Sequence, residues 1–306
     1  MLPITPEEIN LLTDTDFDRL VELDKSGLFI INSDDINSYR ERLSRLHLEL
    51  NNFENELTVD SEIVKEFKLN KDHKIPDAVI EEASYITEKA YSFKIDWIPG
   101  FYVKNLGLFA GGCSVTYNTG LSFFLLRNSF LNKKKWLFYT RNELLSHELC
   151  HIAREPLNDR SFEEFFAYKI STSPLRRYLG NCFQTALEPV LLLAPIFLLL
   201  ILQFIKLLIY PHINLTFFWI LIFLFPIYLL IKNQHYRNLY SKAKLSLKNL
   251  SQGNPNNIEA ILFRCNSHEI KHIAKLHKNK EKLKSWLSSQ KKKQLKWKII
   301  YKRFLS

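Results

Sequence analysis

The sequence predicts an α+β protein anchored in a membrane. It would carry a helical N-terminal arm (residues 1–60), a mixed domain (61–186), a two-helix transmembrane hairpin (187–232) and a basic helical C-terminal region (233–306). Three observations carry this. Two long apolar runs lie side by side at 189–231. Aromatic and β-branched stretches alternate with turns over 95–139. The net charge of +10 is divided very unevenly: residues 1–186 hold 22 Lys/Arg against 28 Asp/Glu, and residues 233–306 hold 18 against 3. Between them only Glu188, Lys206 and Lys232 are charged. An acidic half, an almost uncharged middle and a basic tail describe a membrane protein better than a nucleic-acid binder, so no nucleic-acid partner is expected. With 46% apolar and 24% charged residues, wholesale disorder is excluded.

The N-terminal arm reads as helices. Ile36, Tyr39, Leu43, Leu46, Leu50, Phe53 and Leu57 recur at alternating spacings of three and four, an a/d stripe over three heptads. The stripe would serve either self-association as a coiled coil or packing against a neighbouring helix over Thr15–Lys25, where Phe17, Leu20 and Val21 supply apolar contacts; three heptads favour the second. A further helix is expected over Asp77–Ala90. Strand-like stretches follow at 95–103, 107–117, 121–127 and 134–139. Within them, Gly111 to Tyr117 could form either an exposed edge that takes an extended polypeptide, since paired glycines permit close backbone approach, or an ordinary internal strand.

At Thr140-Arg141-Asn142-Glu143 a T-x-x-E pattern signals a capped helix start. The helix so begun carries His147-Glu148-Leu149-Cys150-His151, an H-E-x-x-H sequence. Positions i and i+4 stand one above the other on a helix, so His147 and His151 can ligate one ion, and zinc is the metal expected at such a site. Glu148 projects beside them, where it can act on water without being a ligand. Cys150 is expected to pack as a small apolar residue. A second carboxylate-bearing helical segment, Ser161 to Tyr168, follows.

At these residues the chain resembles the gluzincin zinc metallopeptidases, above all compact integral-membrane members such as the CAAX prenyl proteases and heat-shock membrane proteases. The resemblance covers about residues 136–170 together with the adjacent membrane helices. In those families a second helix carries Glu-x-x-Ala-Asp or Glu-x-x-Ser-Asp, whose Glu is the third zinc ligand. This chain reads Glu164-Phe165-Phe166-Ala167-Tyr168. The resemblance thus implies a zincin-like domain in which His147, His151 and Glu164 hold Zn2+ and Glu148 is the general base for peptide hydrolysis. Tyr168 departs from the family's Asp, so another group, Glu163, Asp159 or a backbone carbonyl, must orient an imidazole. Adjacent Glu163 and Glu164 point about 100° apart, so only one should face the ion, and the register favours Glu164. Arg154 would either pair with the other glutamate or complement the helix dipole. Tyr168, Arg176, Arg177 and Tyr178 are candidate oxyanion donors.

Residues 189–205 and 213–231 carry no charge, and with their flanks each reaches the ~20 residues that span a bilayer core. Lys206 can snorkel, and Pro195 and Pro226 are tolerated in membrane helices. The connection Tyr210-Pro211-His212 forces a hairpin. Basic flanks at Arg176-Arg177 and after Ile231, with none in the connection, place both large regions in the cytoplasm. The acidic start MLPITPEEINLL lacks a signal-peptide n-region, and four scattered cysteines suit a reducing compartment. A bacterial inner (cytoplasmic) membrane protein is the expected setting. Residues 278–304 interleave lysines with Leu283, Trp286, Leu287, Trp297 and Phe304, a pattern suited to lying on anionic lipid. Two function classes follow: a membrane-anchored zinc endopeptidase acting on polypeptide, or a non-catalytic membrane adaptor with a structural or vestigial zinc site.

Overall fold

The computed structural model describes all residues except 1, 58–68, 70, 105, 108–109, 118–120, 186, 213, 249–254 and 306. It is α+β and predominantly helical. Helix α1 (Pro6–Leu11) opens on a Thr5/Glu8 capping box, α2 spans Phe17–Lys25, and α3 (Ile36–Glu56) opens on Asp35, whose carboxylate accepts from the Ser38 amide. Tyr39, Leu43, Leu50 and Phe53 of α3 are buried, and Ile36, Leu46 and Leu57 pack on the same core. The Phe53 ring lies 5.8 Å from Phe101 and 5.0 Å from Phe123. The seven positions of the heptad stripe thus pack on the chain's own interior.

Helix α4 (Asp77–Tyr91) leads into a three-stranded sheet of β1 (Gly100–Val103), β2 (Gly112–Tyr117) and β3 (Leu121–Arg127), in the order β1-β3-β2. Strand β3 pairs parallel with β1 and antiparallel with β2. Its residues Leu121 to Leu126 are all buried, as a strand covered on both faces requires. Of the stretch 95–103 only the part after Pro99 is strand, because proline lacks the donor a ladder needs. Residues 108 and 109 of the stretch 107–117 lie outside the described residues, and its ordered part, β2, is an edge among the described strands. A small hairpin of β4 (Lys135–Trp136) and β5 (Tyr139–Thr140) runs directly into α5 (Arg141–Arg154).

The expected capping box at that start does not form. Thr140 has the extended backbone of an N-cap, yet its side chain makes no capping bond. Glu143 turns inward instead and accepts from Ser171 Oγ (2.5 Å), Thr172 Oγ1 (2.8 Å) and Arg176 Nη1 (2.8 Å). A buried carboxylate gains more from three side-chain donors than from one backbone amide.

Helices α6 (Arg160–Lys169) and α7 (Pro174–Leu179) precede α8 (Leu187–Leu208) and α9 (Thr216–Lys248). The last two are long and apolar enough to cross a membrane; in their most apolar stretches only 6% and 12% of residues are buried. A hairpin inside a soluble core would be covered, and this one is not. Lys232 Nζ and Glu188 Oε1, 2.5 Å apart, tie the two helices at one end. Past that point α9 continues to Lys248, with Tyr240, Ala243 and Leu247 buried in the main core.

Helices α10 (Pro255–Arg264), α11 (Ser267–Lys275), α12 (Lys280–Lys293) and α13 (Leu295–Ile300) complete the chain. The apolar residues expected to face lipid in this tail are turned largely into the protein. Leu283, Leu287, Trp297, Ile299 and Ile300 are buried in the common core, and Trp297 Nε1 donates to Glu269 Oε1 at 2.8 Å. Burial of these apolar faces against protein contributes to the core, while the lysines at 280, 282, 284 and 291–293 stay exposed. Arg264 and Arg303 both reach Asp24 of α2, and Arg264 also donates to the Tyr91 carbonyl at 2.9 Å. One apolar core thus runs through the N-terminal arm, the sheet layer and the basic region, across the segment boundaries at 60 and 233.

Candidate metal centre

Helix α5 packs on α6, and their contact brings together residues 12 to 17 positions apart. His147 and His151 lie one turn apart on α5 with their Nε2 atoms 3.1 Å from each other. Glu164 of α6 faces both: Oε2 is 3.7 Å from His147 Nε2, and Oε1 is 3.6 Å from His151 Nε2. Metal–nitrogen and metal–oxygen bonds of about 2.0–2.2 Å in a tetrahedron give ligand–ligand edges of about 3.3–3.6 Å. The observed distances fall around that value. No family model, curated protein or solved structure matches this chain.

The tautomers point the same way. His151 Nδ1 lies 3.0 Å from Glu163 Oε1, and the His147 ring is hydrogen-bonded to the Ala167 backbone. With each outer nitrogen engaged by an acceptor, each neutral ring turns an Nε2 lone pair inward, towards the other. Two converging lone pairs repel unless a proton or a cation lies between them. The two imidazoles and one carboxylate form a group that could hold a metal ion.

Glu163 and Glu164 therefore divide the two roles: Glu164 turns to the imidazole pair, and Glu163 hydrogen-bonds the outer nitrogen of His151. Tyr168 occupies the place of the family's Asp but accepts nothing from an imidazole. Its ring packs edge-on against His147 with centroids 4.5 Å apart. Gly180 makes this possible, because a Cβ there would overlap the Tyr168 ring. No sequence pattern announced that contact; its one signal is a glycine following a short helix.

Arg154 takes neither of its expected partners. It is buried, donates to Asp159 Oδ2 at 2.9 Å and to the carbonyls of Phe263 and Cys265, and lies 4.6 Å over the Phe166 ring. A buried guanidinium needs acceptors on several sides, and the α10–α11 turn provides them where a single glutamate could not. Asp159 is thereby committed to Arg154 and does not orient an imidazole. Cys150 is fully buried, its thiol pushed up by burial, and it packs in the core. The Tyr178 hydroxyl turns to α9, meeting Gln234 at 3.2 Å, and Arg177 is exposed, its backbone carbonyl accepting from Arg237. Arg176 pairs with Glu143, so of the four oxyanion candidates Tyr168 alone lines the cleft.

Glu148 is buried beside the imidazoles and is held by the sheet. Its Oε2 accepts from the Ser114 amide (2.9 Å) and the Ser114 hydroxyl (2.7 Å), both on edge strand β2. Ser114 was visible in sequence only as part of a strand, since its partner is 34 residues away. Cys113, Ser114, Glu148, both imidazoles and Tyr168 line an open cleft of about 340 Å³.

The electrostatics describe a site overloaded with carboxylates. Burial pushes Glu164 up to about 7, with Glu148 and Glu163 adding to the shift and His151 opposing it. Burial alone would favour neutral His151, but the Glu163 hydrogen bond and the charges of Glu164, Glu148 and Glu163 outweigh it and raise the ring to about 9. His147 is held well below its usual value by burial, then by His151 and Arg176. Burial opposes ionisation of Glu163 too, yet its bond to His151 holds it lower than usual.

Proposed function

We propose that this protein is a membrane-anchored zinc-dependent endopeptidase, with α8 and α9 as its anchor and the folded body on the cytoplasmic side. The observation that carries the reading is the convergence of His147 Nε2, His151 Nε2 and Glu164 beside Glu148, which the chain holds on an edge strand without making it a ligand. Arg176 and Arg177 before α8, and Lys232, Arg237, Lys242 and Lys244 along α9, support the orientation.

A bound zinc ion would supply Lewis acidity, polarising the scissile carbonyl and making water a stronger nucleophile. Glu148 accepts the attacking water's proton as the water oxygen bonds to the carbonyl carbon, and delivers it to the leaving amine as the C–N bond breaks. Ser114 engages Oε2 of Glu148, which fixes the carboxylate and leaves Oε1 for that proton. Tyr168 remains a protonated donor at working pH, since burial pushes its phenol up to about 12, and it lines the cleft where an oxyanion would form.

The test uses the full chain in lipid nanodiscs. Metal content by mass spectrometry and cleavage of a membrane-proteome peptide pool are compared for wild type and Glu148→Gln. Near-stoichiometric zinc in both, with cleavage lost in the variant, is expected; equal products from both would refute the enzyme reading. Bound zinc with no turnover by wild type would favour the adaptor.

A further inference from the structure

The β4–β5 hairpin breaks two rules at once. Trp136 pairs with Tyr139, which leaves Leu137 and Phe138 as a two-residue turn. Such turns ordinarily take Asn-Gly, because they need positive φ. Here Leu137 sits at φ +48°, in the left-handed region that a leucine rarely adopts. The tip is also apolar and turned outward, with Leu137 59% and Phe138 86% exposed. Local strain and a solvated phenylalanine both oppose stability in water, so the tip is built for another medium.

Its flanks name that medium. Lys133, Lys134 and Lys135 enter the hairpin consecutively and are all exposed. Large apolar side chains at a tip with lysines behind them form the amphipathic arrangement of an interfacial anchor: rings and aliphatic groups enter the acyl boundary while ammonium groups meet anionic headgroups. A folded protein partner would not need three adjacent cations, each strongly hydrated. Continuity adds a second argument. Tyr139 at the hairpin base lies 4.8 Å under the Arg176 guanidinium of α7, the helix that leads to α8, and Leu175 of α7 is likewise exposed.

We infer that the β4–β5 hairpin dips Leu137 and Phe138 into the anionic interface of the same bilayer that α8 and α9 cross. This rests on the membrane anchoring proposed above and adds a contact made by the catalytic body itself. Because β5 runs without a break into α5, the hairpin ties the helix carrying His147 to the lipid surface. Polypeptides close to the bilayer then have first access to the cleft.

The experiment places an environment-sensitive fluorophore at Phe138→Cys in the full chain, reconstituted in nanodiscs containing anionic lipid. The native cysteines are blocked or subtracted with labelled wild type. Reference labels sit at Ile201→Cys on α8 and Glu22→Cys on α2. Emission at 138 is expected to shift to the blue and to be quenched by shallow lipid-attached spin labels, with 201 quenched and 22 unaffected. If 201 is quenched while 138 behaves like 22, the hairpin proposal is overturned and the anchor stands. If 201 is not quenched, the anchor itself fails. Protection of 138 in native membranes but not in nanodiscs would assign the tip to a protein partner and also overturn the proposal.

Discussion

Replacing Glu164 by glutamine separates the cost of an empty site from the benefit of a filled one. In the metal-free protein burial holds the Glu164 carboxyl at about 7, against 4.5 when unfolded. A folded pKa above the unfolded one means that the group's contribution is fully present below pH 4.5 and is lost as pH rises through about 7. At pH 8 the ionised carboxylate costs up to about 3 kcal/mol at 1.36 kcal/mol per pH unit. The side chain is 31% exposed, so solvent screening reduces this to about 2 kcal/mol. Glutamine has the same shape without the charge. Metal-free Glu164→Gln should therefore match wild type at pH 4 and exceed it at pH 8, by about 3 °C in Tm for a chain of this size. Zinc at a thousandfold its Kd stabilises a competent site by about 4 kcal/mol. Added zinc should therefore reverse the order at pH 8, raising wild type and leaving the variant nearly unmoved. The assay is thermal unfolding in nanodiscs with chelator or zinc at both pH values. Parallel pH dependences in chelator would refute the buried, charge-crowded Glu164, and equal stabilisation of both proteins by zinc would refute its role as ligand.

Glu163→Ala removes the acceptor on His151 Nδ1 and should weaken zinc binding about 10–100-fold in chelator competition, with Glu163→Gln falling between it and wild type because the amide oxygen still accepts. Asp24→Ala strands Arg264 and Arg303 without their shared carboxylate, and denaturant unfolding should show a loss of about 3–5 kcal/mol. Gly180→Ala forces the Tyr168 ring off His147; lower zinc affinity with a loss of about 1–3 kcal/mol is expected from overpacking, and unchanged zinc affinity would show that the tyrosine does not hold the imidazole in place.

Much of the site was legible because it is local. The i, i+4 spacing of His147 and His151 fixes a shared face on any helix, and the uncharged runs at 189–205 and 213–231 announce two helices long and apolar enough to cross a membrane. The likeness of Glu164-Phe165-Phe166-Ala167 to the metallopeptidase pattern points to Glu164, the residue that α6 turns to the imidazole pair. What stayed hidden depends on how distant elements meet. The helix that carries Arg154 does not show its acceptors: Asp159 lies beyond the helix end, and the carbonyls of Phe263 and Cys265 lie more than a hundred residues on. Glu143 looked like a cap because the sequence shows its amide neighbours and not Ser171, Thr172 and Arg176. The lysine-rich tail matches a lipid-surface helix in one dimension, since the same amphipathic pattern serves any apolar surface.

The sequence alone determined which side chains share a helical face and which segments are long and apolar enough to cross a membrane, since both follow from periodicity and composition along a single stretch of chain. Only the tertiary structure decided that Glu163 meets His151 while Glu164 faces the imidazole pair, that Ser114 holds Glu148, and that Leu283, Leu287 and Trp297 of the basic tail are buried in the core. Those outcomes depend on the rotation of α6 against α5 and the placement of β2 above them, which are set by packing among side chains far apart in sequence.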